Sequence, residues 1–239
     1  MTVTGARDLR DVAFVFLLAA TVASVLAALH LIFFYAPVES TMGVVQKIFY
    51  FHVPSAYGMY LGAAACFLGS AAYLVSPTDG RDAFAKAGAE VAVVFGLIVM
   101  VTGPLWAAKA WGRYWTWDPR LTTSLLSVLI YVAYVILRSF AGNGEAEKKF
   151  AAALGVLGAA NLPIIHYSVQ KWSGQHPRVI SSGGGGIAPT MVPPLLVSFL
   201  AFTLLAALLL WTRVRLELAQ ARLSVVEQEA LEQGLEENT

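Results

Sequence analysis

Between Trp111 and Thr122 the chain reads WGRYWTWDPRLT: three tryptophans, a tyrosine, two arginines and an aspartate within twelve residues. Flat aromatic area beside guanidinium groups is chemistry for a large planar ligand that also carries acid groups, since indoles stack and arginines pair with carboxylates. Trp and Tyr also collect at membrane interfaces, where an amphipathic ring suits the headgroup level. Such a belt accounts for one or two tryptophans. Trp111, Trp115 and Trp117, flanked by Arg113 and Arg120, exceed that number and favour a binding platform, although the two roles are compatible. Positions 111 and 115 share a face if the segment is helical, and 115 and 117 share one if it is extended, so at least two indoles can form one surface either way. Asp118 directly precedes Pro119, the usual N-cap and first-turn pair of a helix. Capping is therefore favoured over ligand contact for Asp118, and the cap would still fix where the loop ends and where Arg120 points.

The four histidines bear on the same side of the chain. His52, in FYFHVPSAY, and His176, in KWSGQHPRV, stand near prolines in loops flanking the tryptophan segment. Haem is the common biological molecule that is planar, largely apolar and dicarboxylic, and its iron takes histidine as an axial ligand. A lone histidine is usually structural; two in loops facing one tryptophan-rich loop favour ligation of haem iron, the metal expected here. His30 and His166 lie one or two turns inside apolar runs, where an ionisable side chain is costly and faces the bundle interior. A hydrogen bond to a neighbouring helix is favoured for both over lining an access route. The run Gly183 to Gly186 reads either as a segment that lets the His176 loop open and close or as an inert linker.

The elements that must position these groups are membrane-spanning. Of 239 residues, 58% are hydrophobic and 13% charged, with mean hydropathy +0.67; an ordinary soluble domain has about 25% charged residues. A helix needs about 20 apolar residues to cross the hydrocarbon core with its own backbone hydrogen bonds satisfied. Six such runs occur, at about 12–34, 53–75, 85–106, 121–140, 150–170 and 191–212. The first follows a charged segment (Arg7, Asp8, Arg10, Asp11) but is too long for a signal core and lacks a clear cleavage site, so it is taken as a helix. The single cysteine, Cys66, excludes an intramolecular disulfide, a CxxC pair and a CxxCH haem-attachment site, and is expected to be a packing residue.

Six spans place both termini on one face. That face holds ten basic residues against six on the other, which makes it the cytoplasmic one. Only Glu39 and Asp118 among fifteen acids fall on the outer face, leaving it net positive and suited to an anionic ligand, unless small loops give such a bias by chance. The first, third and fifth connections are outer. The inner connections, SPTDGRDA and AGNGEAEKK, read as plain turn-rich segments.

WGRYWTWDPRLT matches the pattern W-G-x-x-W-x-W-D-x-R-L-T of the haem-handling proteins of cytochrome c maturation. With KIFYFHVPSAY entering the second span and NLPIIHYSVQKWSGQHP leaving the fifth, the chain resembles the haem exporter protein C (CcmC-type) family. Larger relatives share the motif; the length and the six-span layout choose among them. The resemblance implies an all-α membrane protein, with a six-helix haem-handling domain over 1–213 (motif 106–122) and a helical tail over 214–239. It implies axial ligation of haem b by His52 and His176, and a haem-binding domain containing Trp111, Trp115, Trp117 and Asp118 with Arg120 beside them. Arg113 and Arg120 are candidates for the propionates. It further implies transfer to a membrane-anchored periplasmic haem chaperone, and association with an ABC-type ATPase, a second membrane subunit and a small helper subunit. Around His176 the match is loose, because Pro177 and the tetraglycine follow.

The tail carries Leu216, Ala219, Leu223, Val226 and Ala230 at alternating three- and four-residue steps, one apolar seam on a helix continuing the sixth span. Packing on a cytoplasmic partner and self-association are equally served by it. Two other functions compete with non-enzymatic haem delivery. A haem or quinone subunit of a respiratory oxidoreductase calls for histidine pairs inside the bundle, and a permease calls for broken or polar spans at midplane. The histidines sit in loops and, apart from Gly103-Pro104, the spans read as smooth, so both competitors are disfavoured.

Overall fold

A computed structural model describes residues 3–140, 144–172, 176 and 187–233. Among them the chain is helical throughout: α1 (Val3–His30), α2 (Phe49–Val75), α3 (Asp79–Trp111), α4 (Pro119–Phe140), α5 (Glu145–Ala159), α6 (Asn161–Lys171) and α7 (Val192–Glu232). A π-helical turn, Leu31–Tyr35, extends α1, and 3-10 turns at Val44–Ile48 and Pro189–Met191 lead into α2 and α7. Six stretches are long and apolar enough to cross a membrane, and each expected run overlaps one of them. The helices outrun the expected bounds because hydropathy fades at interfacial and capping residues while backbone hydrogen bonding continues. In α7, 41 residues form one helix. At 1.5 Å per residue that is about 60 Å, twice the roughly 30 Å hydrocarbon core, so the last span passes into the tail without a break. Along the tail Leu216, Leu223 and Val226 are exposed.

Where the sequence reads as smooth, the fifth span is broken. Pro163 has no N–H for the Ala159 carbonyl, and its ring crowds that turn; α5 ends there, with the Ala160 N–H turning back to the Leu157 carbonyl (3.1 Å). The buried Asn161 uses its amide on α4 instead, donating to the Thr123 carbonyl (2.8 Å) and to Ser127 Oγ (2.7 Å). That bond pair docks α6 on α4 at the break.

The closest packing in the bundle joins α2 to α3. In lipid, apolar burial does not drive helices together, and small residues that let backbones approach do so instead. Gly62 and Gly69 of α2 face Ala92 and Ala85 of α3, while Gly88 of α3 faces the backbone of Ala65 and Cys66. A Cβ on Gly69 would stand 2.5 Å from the Ala85 nitrogen, and one on Gly62 or Gly88 would collide with backbone outright. Cys66 lies in this seam, fully buried.

At the bundle end that carries the second and fourth connections, ion pairs join the helices. Arg138 of α4 donates to Asp82 of α3 (2.7 Å), and Lys148 of α5 reaches Asp79 (3.1 Å) and Asp82 (3.8 Å). Lys86 of α3 meets Glu217 of α7 (2.8 Å), and Arg213 of α7 pairs with Glu90 of α3. At the opposite end Trp106 Nε1 donates to Gln46 Oε1 (3.3 Å), drawing the first connection against α3.

Filling the α2–α3 seam is expected to destabilise the bundle. Gly88→Val should cost at least about 3 kcal/mol, as overpacking against backbone leaves no side chain to yield. Gly80→Ala, with nothing within 4 Å of the added Cβ, should stay within about 0.5 kcal/mol of wild type. Thermal unfolding of the two variants in detergent checks the contrast.

Candidate functional site

His52 lies within the first turn of α2, not in a loop, because the helix starts at Phe49 directly after the 3-10 turn. Its Nδ1 is 2.9 Å from Thr102 Oγ1 on α3. The Thr102 hydroxyl donates its own hydrogen to the Ile98 carbonyl (2.6 Å), so toward His52 it can only accept. Nδ1 therefore carries the imidazole proton, and Nε2 keeps its lone pair for a metal. A hydrogen bond that orients a histidine through its second nitrogen is the usual support of a metal ligand. Gly103 makes room for the ring: a Cβ there would lie 3.1 Å from His52 Cε1.

His52 opens onto a cavity of about 440 Å³ between α2, α3, α4, α6 and α7 at the bundle end of the first, third and fifth connections. This volume falls in the range of about 300–1,000 Å³ typical of small-molecule and cofactor sites. His176 and His166 share its wall with His52. Trp106, Trp111 and Trp115 supply the aromatic side, with Trp106 and Trp111 edge to face at 5.8 Å. Tyr57, Tyr60, Met59, Met100 and Phe199 line the deeper apolar part.

The tryptophan loop is shaped by its two ends. α3 stops at Gly112, whose φ of +71° is the left-handed conformation that closes a helix, with its N–H on the Ala108 carbonyl (3.1 Å). α4 starts at Pro119, and Asp118 caps it: Oδ1 accepts from the Leu121 N–H (2.8 Å). Between these ends Trp115 Nε1, Thr116 Oγ1 and Asp118 Oδ2 are buried without a hydrogen-bond partner among the described residues. Buried polar atoms are ordinarily satisfied, so this stretch retains bonding capacity for a ligand.

Arg120 is the one arginine on the cavity wall, and its guanidinium forms no hydrogen bond or ion pair among the described residues. Both outer acids hold backbone, and Asp118 also lies within electrostatic reach of Arg120. Asp118 caps α4, and Glu39 accepts from the Met42 N–H, from the Thr41 N–H (2.8 Å) and from Ser40 Oγ (3.2 Å). Those donors, that of Met42 foremost, hold the Glu39 carboxyl below its usual range. A planar dicarboxylic ligand with an iron centre fits this chemistry: a preset imidazole, an indole wall and a guanidinium that forms no hydrogen bond among the described residues.

The structure thus brings His52, His176, Trp111, Trp115 and Arg120 to one wall. It leaves three candidates off it. Trp117 is 76% exposed and packs edge-on to Trp115 at 5.7 Å. Arg113 is exposed, and Asp118 sits beneath the loop as its cap. Pro177 and Gly183 to Gly186 lie outside the described residues. The hydrogen bonds expected of His30 and His166 are absent among the described residues: His30 stacks on Phe34 (5.2 Å), and His166 packs edge-on to Tyr167 (5.3 Å). His166, for which lining an access route was the less favoured reading, and Trp106, at the start of the 106–122 motif, stand on the cavity wall, while Thr102 and Gly103 beside His52 were not singled out as site groups. Thr102 and Gly103 were marked only by their place beside Pro104 in an apolar run.

Comparison with known proteins gives the family. The family model described as heme exporter protein C matches residues 4–229. The heme exporter protein C of Bradyrhizobium diazoefficiens is 34% identical over 189 residues, covering 78% of this chain and 72% of that protein. The one from Escherichia coli K12 is 35% identical over 187 residues (77% and 74%), and the one from Rhodobacter capsulatus is 32% identical over 213 residues (88% of each). With nearly the whole chain matched, this multi-pass membrane protein belongs to the haem exporter protein C (CcmC) family.

Proposed function

We propose that the chain binds haem b non-covalently at the outer end of its bundle and delivers it to a periplasmic haem chaperone for c-type cytochrome biogenesis. The observation that carries this reading is His52, whose hydrogen bond to Thr102 leaves Nε2 as a free donor facing a cavity walled by tryptophan and Arg120. His52 and His176 supply the axial bonds to iron. Trp111 and Trp115 stack on the macrocycle, and Arg120 pairs with a propionate. Trp117 and Arg113, exposed beside the cavity, present the edge that a chaperone meets. The chain holds and orients its cargo and catalyses no bond-breaking chemistry.

On this reading, supported by the basic bias of the sequence, the termini are cytoplasmic and the cavity is on the periplasmic side of the inner membrane. Partners on this reading are the chaperone outside and an ABC-type complex of an ATPase, a second membrane subunit and a small helper subunit. The alternative, a haem or quinone subunit of a respiratory enzyme, keeps its haem as a resident group. Mixing haem-loaded protein with the apo-chaperone separates the two: transfer supports delivery, whereas haem that stays bound and is reduced by quinol supports the respiratory reading.

Two variants test the site. Thr102→Val removes the acceptor that sets the His52 tautomer, and hemin affinity is expected to fall about 10–100-fold, as for the loss of other supporting partners of metal ligands. Arg120→Gln forfeits a charge-assisted hydrogen bond of about 1.5–3 kcal/mol, so affinity should fall at least about tenfold, while the iron spectrum stays that of wild type. Hemin titration followed by absorption reads both. Unchanged affinity in Thr102→Val would remove the tautomer argument, and a changed spectrum in Arg120→Gln would place that residue at the iron.

A further inference from the structure

Three histidines, His52, His166 and His176, line one cavity, yet a six-coordinate haem iron offers two axial positions. We propose that His166 is a third, exchangeable iron ligand, which takes the axial position of His176 as haem is passed on. The inference rests on the haem reading of the cavity.

His52 is the fixed member of the set. Its ring is tied to Thr102, sits over Gly103 and rides on α2, which is locked to α3 by backbone contact. Exchange therefore falls to the other position. His166 and His176 are ten residues apart in the sequence, and both line the cavity. His166 is held there by construction. The break at Ala160 and the bonds of Asn161 to Thr123 and Ser127 dock α6 on α4, whose Arg120 and Ser124 line the same cavity. Next to His166, Ile165 is buried in the core and fixes the helix face. The imidazole itself stays exposed, with no hydrogen bond or ion pair among the described residues and only the edge of Tyr167 against it. An ionisable side chain in a span is costly unless it serves a site, and no structural partner accounts for this one.

The exchange balances simply. One iron–nitrogen bond to His166 forms as the bond to His176 breaks, a neutral imidazole replaces a neutral imidazole, and neither the charge nor the oxidation state of iron changes. His176 leaves with its lone pair, and His166 fills the position it vacates.

The test uses full-length protein in detergent, free of imidazole, loaded with hemin and read by absorption and electron paramagnetic resonance. Wild type and His166→Ala should both show a low-spin, six-coordinate iron. His176→Ala should remain low-spin through His166, and the double variant His166→Ala/His176→Ala should turn high-spin or lose hemin. Because the double variant is open to the objection of misfolding, His166→Met/His176→Ala serves as a second reading and should acquire the near-infrared band of histidine–methionine ligation. A high-spin His176→Ala, a low-spin double alanine variant, or no methionine band would each overturn the proposal while leaving haem binding by wild type intact. Failure of wild type to bind hemin at all would overturn the haem reading and this inference with it.

Discussion

The backbone contact between α2 and α3 is the constraint on which the site depends. Gly62, Gly69 and Gly88 let the two helices touch without intervening side chains; ten residues beyond Gly62 and Ala92, past the Phe95 ring seated on Gly58, His52 meets Thr102. A hydrogen bond between the side chains of histidine and threonine forms only when the helices that carry them run near one another. In a membrane such closeness has to come from small residues, because apolar side chains are as well solvated by lipid as by each other. The tautomer of His52 thus depends on a helix pairing held by three glycines, the nearest of them ten residues away.

The two ends of the bundle handle charge in opposite ways. At the end of the second and fourth connections the polar side chains are paired across helices: Asp82 with Arg138 and Lys148, Glu90 with Arg213, Lys86 with Glu217. Partly buried pairs of this kind hold geometry more than they add net stability, and here they fix the feet of α3, α4, α5 and α7. At the other end the acids are occupied by a turn and a cap, while Arg120 and three imidazoles face a cavity. One end is tied together by ion pairs across helices, and the other surrounds a cavity. The α5–α6 break belongs to this second end, since it turns a straight span into a segment that can be docked on α4 and can bring His166 to the wall.

Much of this was legible in the sequence. Six apolar runs announce six spans, because a backbone in lipid must satisfy its hydrogen bonds within each segment. The density of tryptophan around Asp118-Pro119 marks the site, because nothing in an anchoring belt requires it. The helix ends were less legible, and His52 was expected in a loop. Hydropathy reports lipid contact, whereas the helix takes its first turn from local backbone bonding at Phe49. The break near Pro163 was written in the sequence but masked by the apolar residues around it.

By itself, then, the sequence determined the class of the molecule and the chemistry available at one end of it: spans, sidedness of the charged residues, indoles, imidazoles and guanidinium groups. It could do so because composition and spacing act locally. Only the tertiary structure decided which of these groups meet. It selected Arg120 over Arg113, set Trp106 rather than Trp117 on the wall, gave His52 its proton on Nδ1, and added His166. Each of those outcomes depends on how two helices distant in sequence cross, and a crossing is set by the fit of side chains that no single segment contains.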